Sequence, residues 1–275
     1  MFKSDLSKLC VHTITTKLWD LEKAIEKYVS NGIQGISIWR DAIEGKELSF
    51  VRSTLERNEM KVVSLVRGGF FTGENLDSRK MSIQDNLKAI EDAAKIGAEM
   101  LVLVCGATPG QSLEKSRTQI RDAIEELLPF AENNNVKLAI EPLHPMYADS
   151  RSAINTLYQA NNLVEYFDSA YVGIALDVYH VWWDPDLERE IIRCGEKNNL
   201  FAFHLCDWRV PTRDMLNDRT VMGQGIIDIQ EIITFVKNAG YSGYHEVEIF
   251  SEQYWSTDQD KYLDIIIKSY LSYTY

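Results

Sequence analysis

A short apolar run that ends in one polar side chain occurs four times in the second half of the chain. The runs are VKLAIE (Val136–Glu141), YVGIALD (Tyr171–Asp177), LFAFH (Leu200–His204) and GYHEVEIF (Gly243–Phe250). Short apolar runs bounded by turns are typical of buried β-strands, and a helical pattern separates each run from the next. Because parallel strands present their carboxyl ends at one edge of a sheet, the repeat predicts that the four polar groups share one site.

Strand and helix patterns alternate along the whole chain. Further strands are predicted at Leu9–Thr13, Gly35–Trp39, Lys61–Val66 and Met100–Cys105, and helices at Trp19–Ser30, Leu48–Arg57, Met81–Ile96, Leu113–Asn133, Ile154–Tyr166, Pro185–Cys194, Ile229–Ala239 and Lys261–Leu271. Alternating strands and helices indicate a parallel sheet, and 275 residues is close to the roughly 250 typical of a closed barrel. The predicted fold is α/β, a single (β/α)8 TIM barrel. Residues 1–275 are expected to form one domain, since no linker interrupts the alternation.

Charge and hydropathy exclude several classes of protein. A net charge of −12 argues against a surface that binds the phosphate backbone of nucleic acid. No apolar run approaches the roughly 18 residues of a membrane span, and the N-terminus lacks the apolar core of a signal peptide. We therefore expect a cytoplasmic protein without a membrane or nucleic-acid partner. Aromatic residues that we take to be exposed are compatible with a homo-oligomer: Tyr254, Trp255, Tyr270, Tyr273 and Tyr275.

The residues that precede the polar strand ends follow a regular pattern. A small residue stands two positions earlier in the first three runs: Ala139 before Glu141, Ala175 before Asp177 and Ala202 before His204. Since strand side chains alternate between faces, each small residue is expected one layer below its polar group. In the fourth run, Glu246 and Glu248 share a face. We favour Glu248 because it is nearer the carboxyl end of the strand, and we expect Glu246 one layer lower.

Three carboxylates and one imidazole form an oxygen-rich ligand set. Such a set suits one divalent ion, with Mn²⁺ favoured and Mg²⁺, Co²⁺ or Zn²⁺ also compatible. An ion of this kind can hold two adjacent oxygens of a sugar and stabilise an enediolate. Glu141 and Glu248, from opposed sides of the mouth, are expected to act as general acid and base.

Other polar residues near the expected mouth are candidates for binding a small carbohydrate. They are His12, Trp39, Arg67, His144, His180 and, in the long connection Leu205–Gly225, Arg209 or Arg213. Core packing or surface solvation is the alternative role for each. Gly223-Gln224-Gly225 lacks the strand-to-helix setting of a dinucleotide loop and is interpreted as a turn. Because no phosphate-binding glycine loop is present, a non-phosphorylated substrate is favoured.

At these residues the chain resembles the sugar phosphate isomerase/epimerase family, the xylose isomerase-like TIM barrels that also contain endonuclease IV (AP endonuclease family 2). The motifs that carry the resemblance are EPLHP (Glu141–Pro145), LDVYHVWWDP (Leu176–Pro185), FHLCDW (Phe203–Trp208) and HEVEIFS (His245–Ser251). The resemblance implies metal ligands at Glu141, Asp177, His204 and Glu248. It also implies that the two glutamates are the acid–base pair, as in ketose 3-epimerases and inosose isomerases.

The chain departs from the endonuclease branch of this family. That branch carries a trinuclear zinc site with additional histidine ligands, whereas strands two and three here end in Trp39 and Arg67, and the chain has five histidines in total. The function predicted is a divalent-metal-dependent isomerase or epimerase of a small keto-sugar, sugar phosphate or inosose. Two alternatives stay open: a metal-dependent dehydratase or lyase of a 3-keto-sugar or keto-inositol, and a non-catalytic carbohydrate-binding or partner subunit.

Overall fold

Eight parallel strands close into a barrel in the computed structural model, which describes residues 5–274. The barrel strands are β1 (Leu9–His12), β2 (Gly35–Trp39), β3 (Lys61–Gly69), β4 (Met100–Val104), β5 (Lys137–Ile140), β6 (Val172–Asp177), β7 (Leu200–Leu205) and β10 (His245–Val247). The first strand pairs with both β2 and β10, which closes the sheet in the order β1-β10-β7-β6-β5-β4-β3-β2. The barrel prediction is confirmed. Two short strands, β8 (Asp207–Trp208) and β9 (Arg219–Thr220), form a separate antiparallel pair.

Helices occupy the connections between the strands and follow the last strand. They are α1 (Leu21–Ser30), α2 (Leu48–Arg57), α3 (Leu76–Ile96), α4 (Leu113–Asn133), α5 (Leu157–Phe167), α6 (Val178–Val181), α7 (Leu187–Glu196), α8 (Ile229–Asn238), α9 (Glu252–Trp255) and α10 (Gln259–Thr274). The predicted bounds of α2 and α4 coincide with the observed ones. In contrast, α3 begins at Leu76 rather than Met81, because the Asn75 side chain accepts a hydrogen bond from the Ser78 N–H and caps the helix there.

Small and medium side chains fill the barrel interior. Ala139, Ala175 and Ala202 are fully buried and pack in one cluster with apolar residues of the other strands: Cys10, Val63, Val66, Met100 and Val102. Because the cluster draws on six different strands, it lies inside the barrel. The expected layer of small residues therefore lies beneath the polar strand ends.

Strand β3 extends beyond its predicted end at Val66. It continues to pair with β4 through Gly68 and Gly69. Gly69 has φ 102°, and a Cβ at this position would lie 2.0 Å from the Val104 carbonyl oxygen. The absence of a side chain thus permits the close approach of the two strands, and Arg67 lies within β3 instead of following it.

The aromatic residues proposed for an oligomer surface are mostly buried. Tyr254, Trp255 and Tyr270 are buried, and Tyr273 is partly buried; Tyr275 lies outside the described residues. The prediction of exposure is therefore wrong for Tyr254, Trp255 and Tyr270. Within residues 5–274, no helix combines the length and the apolar character needed to cross a membrane.

Candidate functional site

The four polar strand ends converge at one point. Glu141, Asp177, His204 and Glu248 each offer one ligand atom, these atoms lie within 4.8 Å of one another, and all four residues are buried. The register explains the convergence, because Asp177 and His204 are directly paired across β6 and β7. The Glu248 N–H donates to the Leu205 carbonyl at 3.1 Å, which holds the fourth group beside β7.

The imidazole of His204 lies between the carboxylates. Its Nδ1 lies 3.1 Å from Glu141 Oε1 and 3.9 Å from Glu248 Oε2. Burial alone would lower the pKa of His204, but the hydrogen bond with Glu141 and the charges of Glu246 and Glu248 raise it to about 10. Burial raises the pKa of Glu141, and the charge of Glu248 adds to this increase. The cluster therefore concentrates negative charge in a dry site, where a cation is favourable.

The donor set fits a divalent ion. Three carboxylates and one nitrogen are ligands that Mn²⁺, Mg²⁺, Co²⁺ and Zn²⁺ accept. Each cysteine in the described residues is a buried free thiol, and none belongs to this group. The site therefore differs from a structural zinc site rich in thiolates, and residues from four different strands would hold the ion at the barrel mouth.

Glu246 lies one layer below Glu248, as expected from strand alternation. It is fully buried, accepts a hydrogen bond of 2.6 Å from Ser37 and lies 3.3 Å from His12 Nε2. The other ring nitrogen of His12 lies 3.0 Å from Glu248 Oε1. His12 therefore joins the two glutamates from beneath and orients Glu248, rather than facing a substrate at the mouth.

Arg219 lies against the candidate ligands, although the sequence did not indicate it. It is only 3% exposed, and its Nη1 donates to Asp177 Oδ2 at 2.7 Å and to Glu248 Oε2 at 3.1 Å. Its Nη2 lies 3.3 Å from His180 Nε2. Burial alone would raise the pKa of Glu248. The positive charge of His12 and, to a smaller extent, that of Arg219 lower it instead. Arg219 thus supplies the positive charge next to two of the candidate ligands.

The connection after β7 is anchored by Asp207, and this anchor brings Arg219 back to the site. The Asp207 carboxylate accepts four backbone hydrogen bonds of 2.8–3.0 Å, from Trp208, Gly223, Gly225 and Ile227. A Cβ at Gly225 would lie 2.3 Å from Asp207 Oδ1, so glycine is required for this approach. The pairing of β8 with β9 then places Arg219 opposite Trp208. The GxG segment is therefore a turn, as interpreted.

A cavity of about 180 Å³ is lined by two of the four groups, Glu141 and Glu248. Its polar lining includes Arg67, Glu141, Arg151, His180, Arg219 and Glu248, and its aromatic wall consists of Trp39, Tyr147 and Phe250. The structure therefore brings Trp39, Arg67 and His180 to the cavity, among the residues predicted to bind substrate. Burial lowers the pKa of His180 well below its ordinary value, so this imidazole is neutral.

Three of the predicted substrate-binding residues do not line this cavity. His12 is fully buried beneath Glu248. The His144 ring packs against Trp183 and Trp208, and its Nδ1 accepts from the Met146 N–H at 3.2 Å, so it caps a short 3₁₀ helix. The Arg213 side chain is 56% exposed and pairs with Asp218, which also pairs with Arg209. The sequence did not reveal these placements, because position after a strand does not fix the direction of a side chain.

Comparison with known proteins places the chain in a family. Residues 25–268 match the family model described as a xylose isomerase-like TIM barrel. The inosose isomerase of Halalkalibacterium halodurans is 25% identical over 268 residues, which cover 92% of each chain. The L-ribulose-5-phosphate 3-epimerase UlaE of Salmonella paratyphi A is 23% identical over 177 residues, or 63% of this chain and 58% of the epimerase.

Solved structures share the same fold over almost the full length. The protein SMc04130 from Sinorhizobium meliloti superposes with a TM-score of 0.95 at 39% identity, over 98% of this chain and 99% of that one. The IolI protein, whose crystal structure contains a bound zinc atom, superposes with a TM-score of 0.86 at 23% identity, over 97% of this chain and 98% of that one.

Proposed function

Because the chain belongs to the xylose isomerase-like TIM-barrel family, we propose that it is a divalent-metal-dependent isomerase or epimerase of a small keto-sugar, sugar phosphate or inosose. The observation that carries the proposal is the convergence of Glu141, Asp177, His204 and Glu248 within 4.8 Å, with Glu141 and Glu248 lining the cavity. Relatives named as inosose isomerase and ribulose-phosphate 3-epimerase support the reaction class.

Glu141 and Glu248 are the proposed acid–base pair. They follow β5 and β10, which are separated by β6 and β7 in the barrel order, so the two carboxylates reach the cavity from different sides. One glutamate can take the proton from the carbon next to the substrate carbonyl, and the other can return a proton to the opposite face or to the neighbouring carbon. Proton transfer by positioned side chains contributes about 10²–10⁴-fold to the rate.

The remaining residues of the site hold these groups in place and bind the substrate. A divalent ion at the four candidate ligands would polarise the carbonyl and hydroxyl oxygens of a sugar. Neutral His180 and the guanidinium of Arg219 lie beside Asp177, where they can donate hydrogen bonds to sugar hydroxyls. The walls of Trp39 and Phe250 can pack against the C–H faces of the sugar and exclude water. The zinc bound by the IolI protein supports the choice of a divalent ion.

A deuterium wash-in screen tests this proposal without knowledge of the product. The purified protein, loaded with Mn²⁺, is incubated in D₂O with a panel of keto-sugars, their phosphates and inososes, and the deuterium content of each is followed by NMR. We expect at least one compound to exchange a single carbon-bound proton, and chelation with EDTA to stop the exchange. Absence of exchange with every compound, or exchange that survives full removal of metal, would contradict the proposal.

A further inference from the structure

Two arginines line the cavity without a carboxylate partner. Among residues 5–274, Arg67 and Arg151 make no ion pair, although both border the same cavity as Glu141. By contrast, two other partly buried arginines have carboxylate partners: Arg40 pairs with Asp85 at 2.7 Å and Arg193 with Glu165 at 2.6 Å. A half-buried guanidinium without a counterion is unfavourable unless a ligand supplies the negative charge.

The two guanidinium groups are held in place by the fold. Arg67 lies in β3 and stacks on Phe70, with 4.2 Å between the guanidinium carbon and the ring centroid. Arg151 lies over the Tyr147 ring at 5.5 Å. Its carbonyl accepts a hydrogen bond of 2.8 Å from the Gly106 N–H, which ties its loop to the chain that follows β4. Because β3 and β4 are neighbours, both arginines lie at one side of the cavity mouth.

When the other charges of the site are paired, the positive charges of Arg67 and Arg151 have no negative counterpart. Glu141, Asp177 and Glu248 carry three negative charges, which a divalent ion together with Arg219 would balance. Glu246, the remaining carboxylate of the barrel interior, lies 3.3 Å from His12. Burial, together with repulsion from Arg151 and Arg40, lowers the pKa of Arg67. An anion between Arg67 and Arg151 would remove this repulsion.

We propose that Arg67 and Arg151 form a subsite for an anionic group, a phosphate or a carboxylate, on the end of the carbohydrate that is remote from the reacting carbons. This inference rests on the proposed function, and it names the substrate class as a sugar phosphate or a sugar acid. It replaces the expectation of a non-phosphorylated substrate, which depended on the missing glycine loop. Arginine forks bind both anions through paired N–H groups, so no such loop is needed.

Matched pairs of substrates test the subsite. The specificity constant for deuterium wash-in is measured for L-ribulose and its 5-phosphate, for D-fructose and its 6-phosphate, and for D-tagatose and tagaturonate. We expect an anionic member to exceed its neutral counterpart, and Arg67→Met or Arg151→Met to reduce this ratio about 10–100-fold, the contribution of a charge-assisted hydrogen bond. Comparison of the two phosphate pairs with the carboxylate pair shows which anion is preferred. A neutral sugar that reacts as well as its anionic counterparts would overturn the inference while leaving the proposed function intact.

A binding measurement tests the anion subsite without relying on catalytic turnover. Titration calorimetry with inorganic phosphate is carried out on EDTA-treated protein, so that phosphate does not bind through a metal. We expect the Arg67→Met/Arg151→Met double variant to bind at least about 10-fold more weakly than wild type. The control is Arg57→Met, which removes the same charge from the exposed end of α2, and its affinity should match that of wild type. Equal affinity of all three proteins would overturn the subsite, whether or not any sugar exchanges deuterium.

Discussion

Replacement of Glu141 by Gln is expected to lower the rate of deuterium wash-in by about 10²–10⁴-fold at saturating metal, and Glu248→Gln should have an effect of the same order. Each substitution keeps the shape of the side chain but removes its ability to accept the substrate proton. The reason for the large effect is that the two glutamates approach the cavity from different strands, β5 and β10, so neither can substitute for the other.

Both glutamates are also candidate ligands, so the measurement needs a comparison that separates the two roles. Asp177→Asn removes a ligand that has no proposed acid–base role, and the bound metal of all variants is measured by mass spectrometry. Glu252→Gln, an exposed position in α9, is the matched control and should behave as wild type. If Glu141→Gln retains metal and still exchanges at the wild-type rate, Glu141 is not the acid or base.

Substitution of Arg219 by Met is expected to lower the free energy of unfolding of EDTA-treated protein by about 3–5 kcal/mol. The guanidinium is buried and donates to both Asp177 and Glu248, at 2.7 Å and 3.1 Å. Its removal leaves buried Asp177 without its nearest positive charge and leaves Glu248 with His12 but without the guanidinium. A saturating divalent ion should restore part of the lost stability, because the ion supplies positive charge to the same carboxylates and binds only the folded state.

Urea denaturation with and without Mn²⁺ measures both effects. Arg57→Met is the control, since it removes an exposed arginine and should change the free energy of unfolding by no more than about 0.5 kcal/mol. An Arg219→Met protein as stable as wild type after EDTA treatment would show that the ion pairs of Arg219 contribute little. If Mn²⁺ restores none of the free energy of unfolding that Arg219→Met loses, Arg219 and the metal do not stabilise the same carboxylates.

The barrel and the four convergent groups were accessible from the sequence because both follow from strand periodicity. An apolar run such as Tyr171–Asp177 predicts a buried strand, and its last residue is the one that reaches the mouth. The same alternation separated Glu248 from Glu246, which the structure places one layer lower beside His12. These inferences need only the positions of residues along a strand and the parallel arrangement of the sheet.

The rest of the site depends on loops, whose paths the sequence does not reveal. Arg219 returns to the cavity because β9 pairs with β8 and because Asp207 accepts four backbone hydrogen bonds from the same connection. Arg213, six residues earlier, pairs instead with Asp218 at the surface. Arg151 reaches the mouth through the hydrogen bond of its carbonyl with Gly106. No periodic pattern distinguishes these arginines from one another.

The location of bound Mn²⁺ in a crystal is the most direct test of the metal centre. Anomalous diffraction data from crystals soaked in Mn²⁺ would give the position of the ion without assumptions about the reaction. We predict one strong peak about 2.0–2.3 Å from an atom of each of Glu141, Asp177, His204 and Glu248. No peak at saturating Mn²⁺, or a peak among His12, His204 and Glu246 instead, would contradict the proposed metal centre.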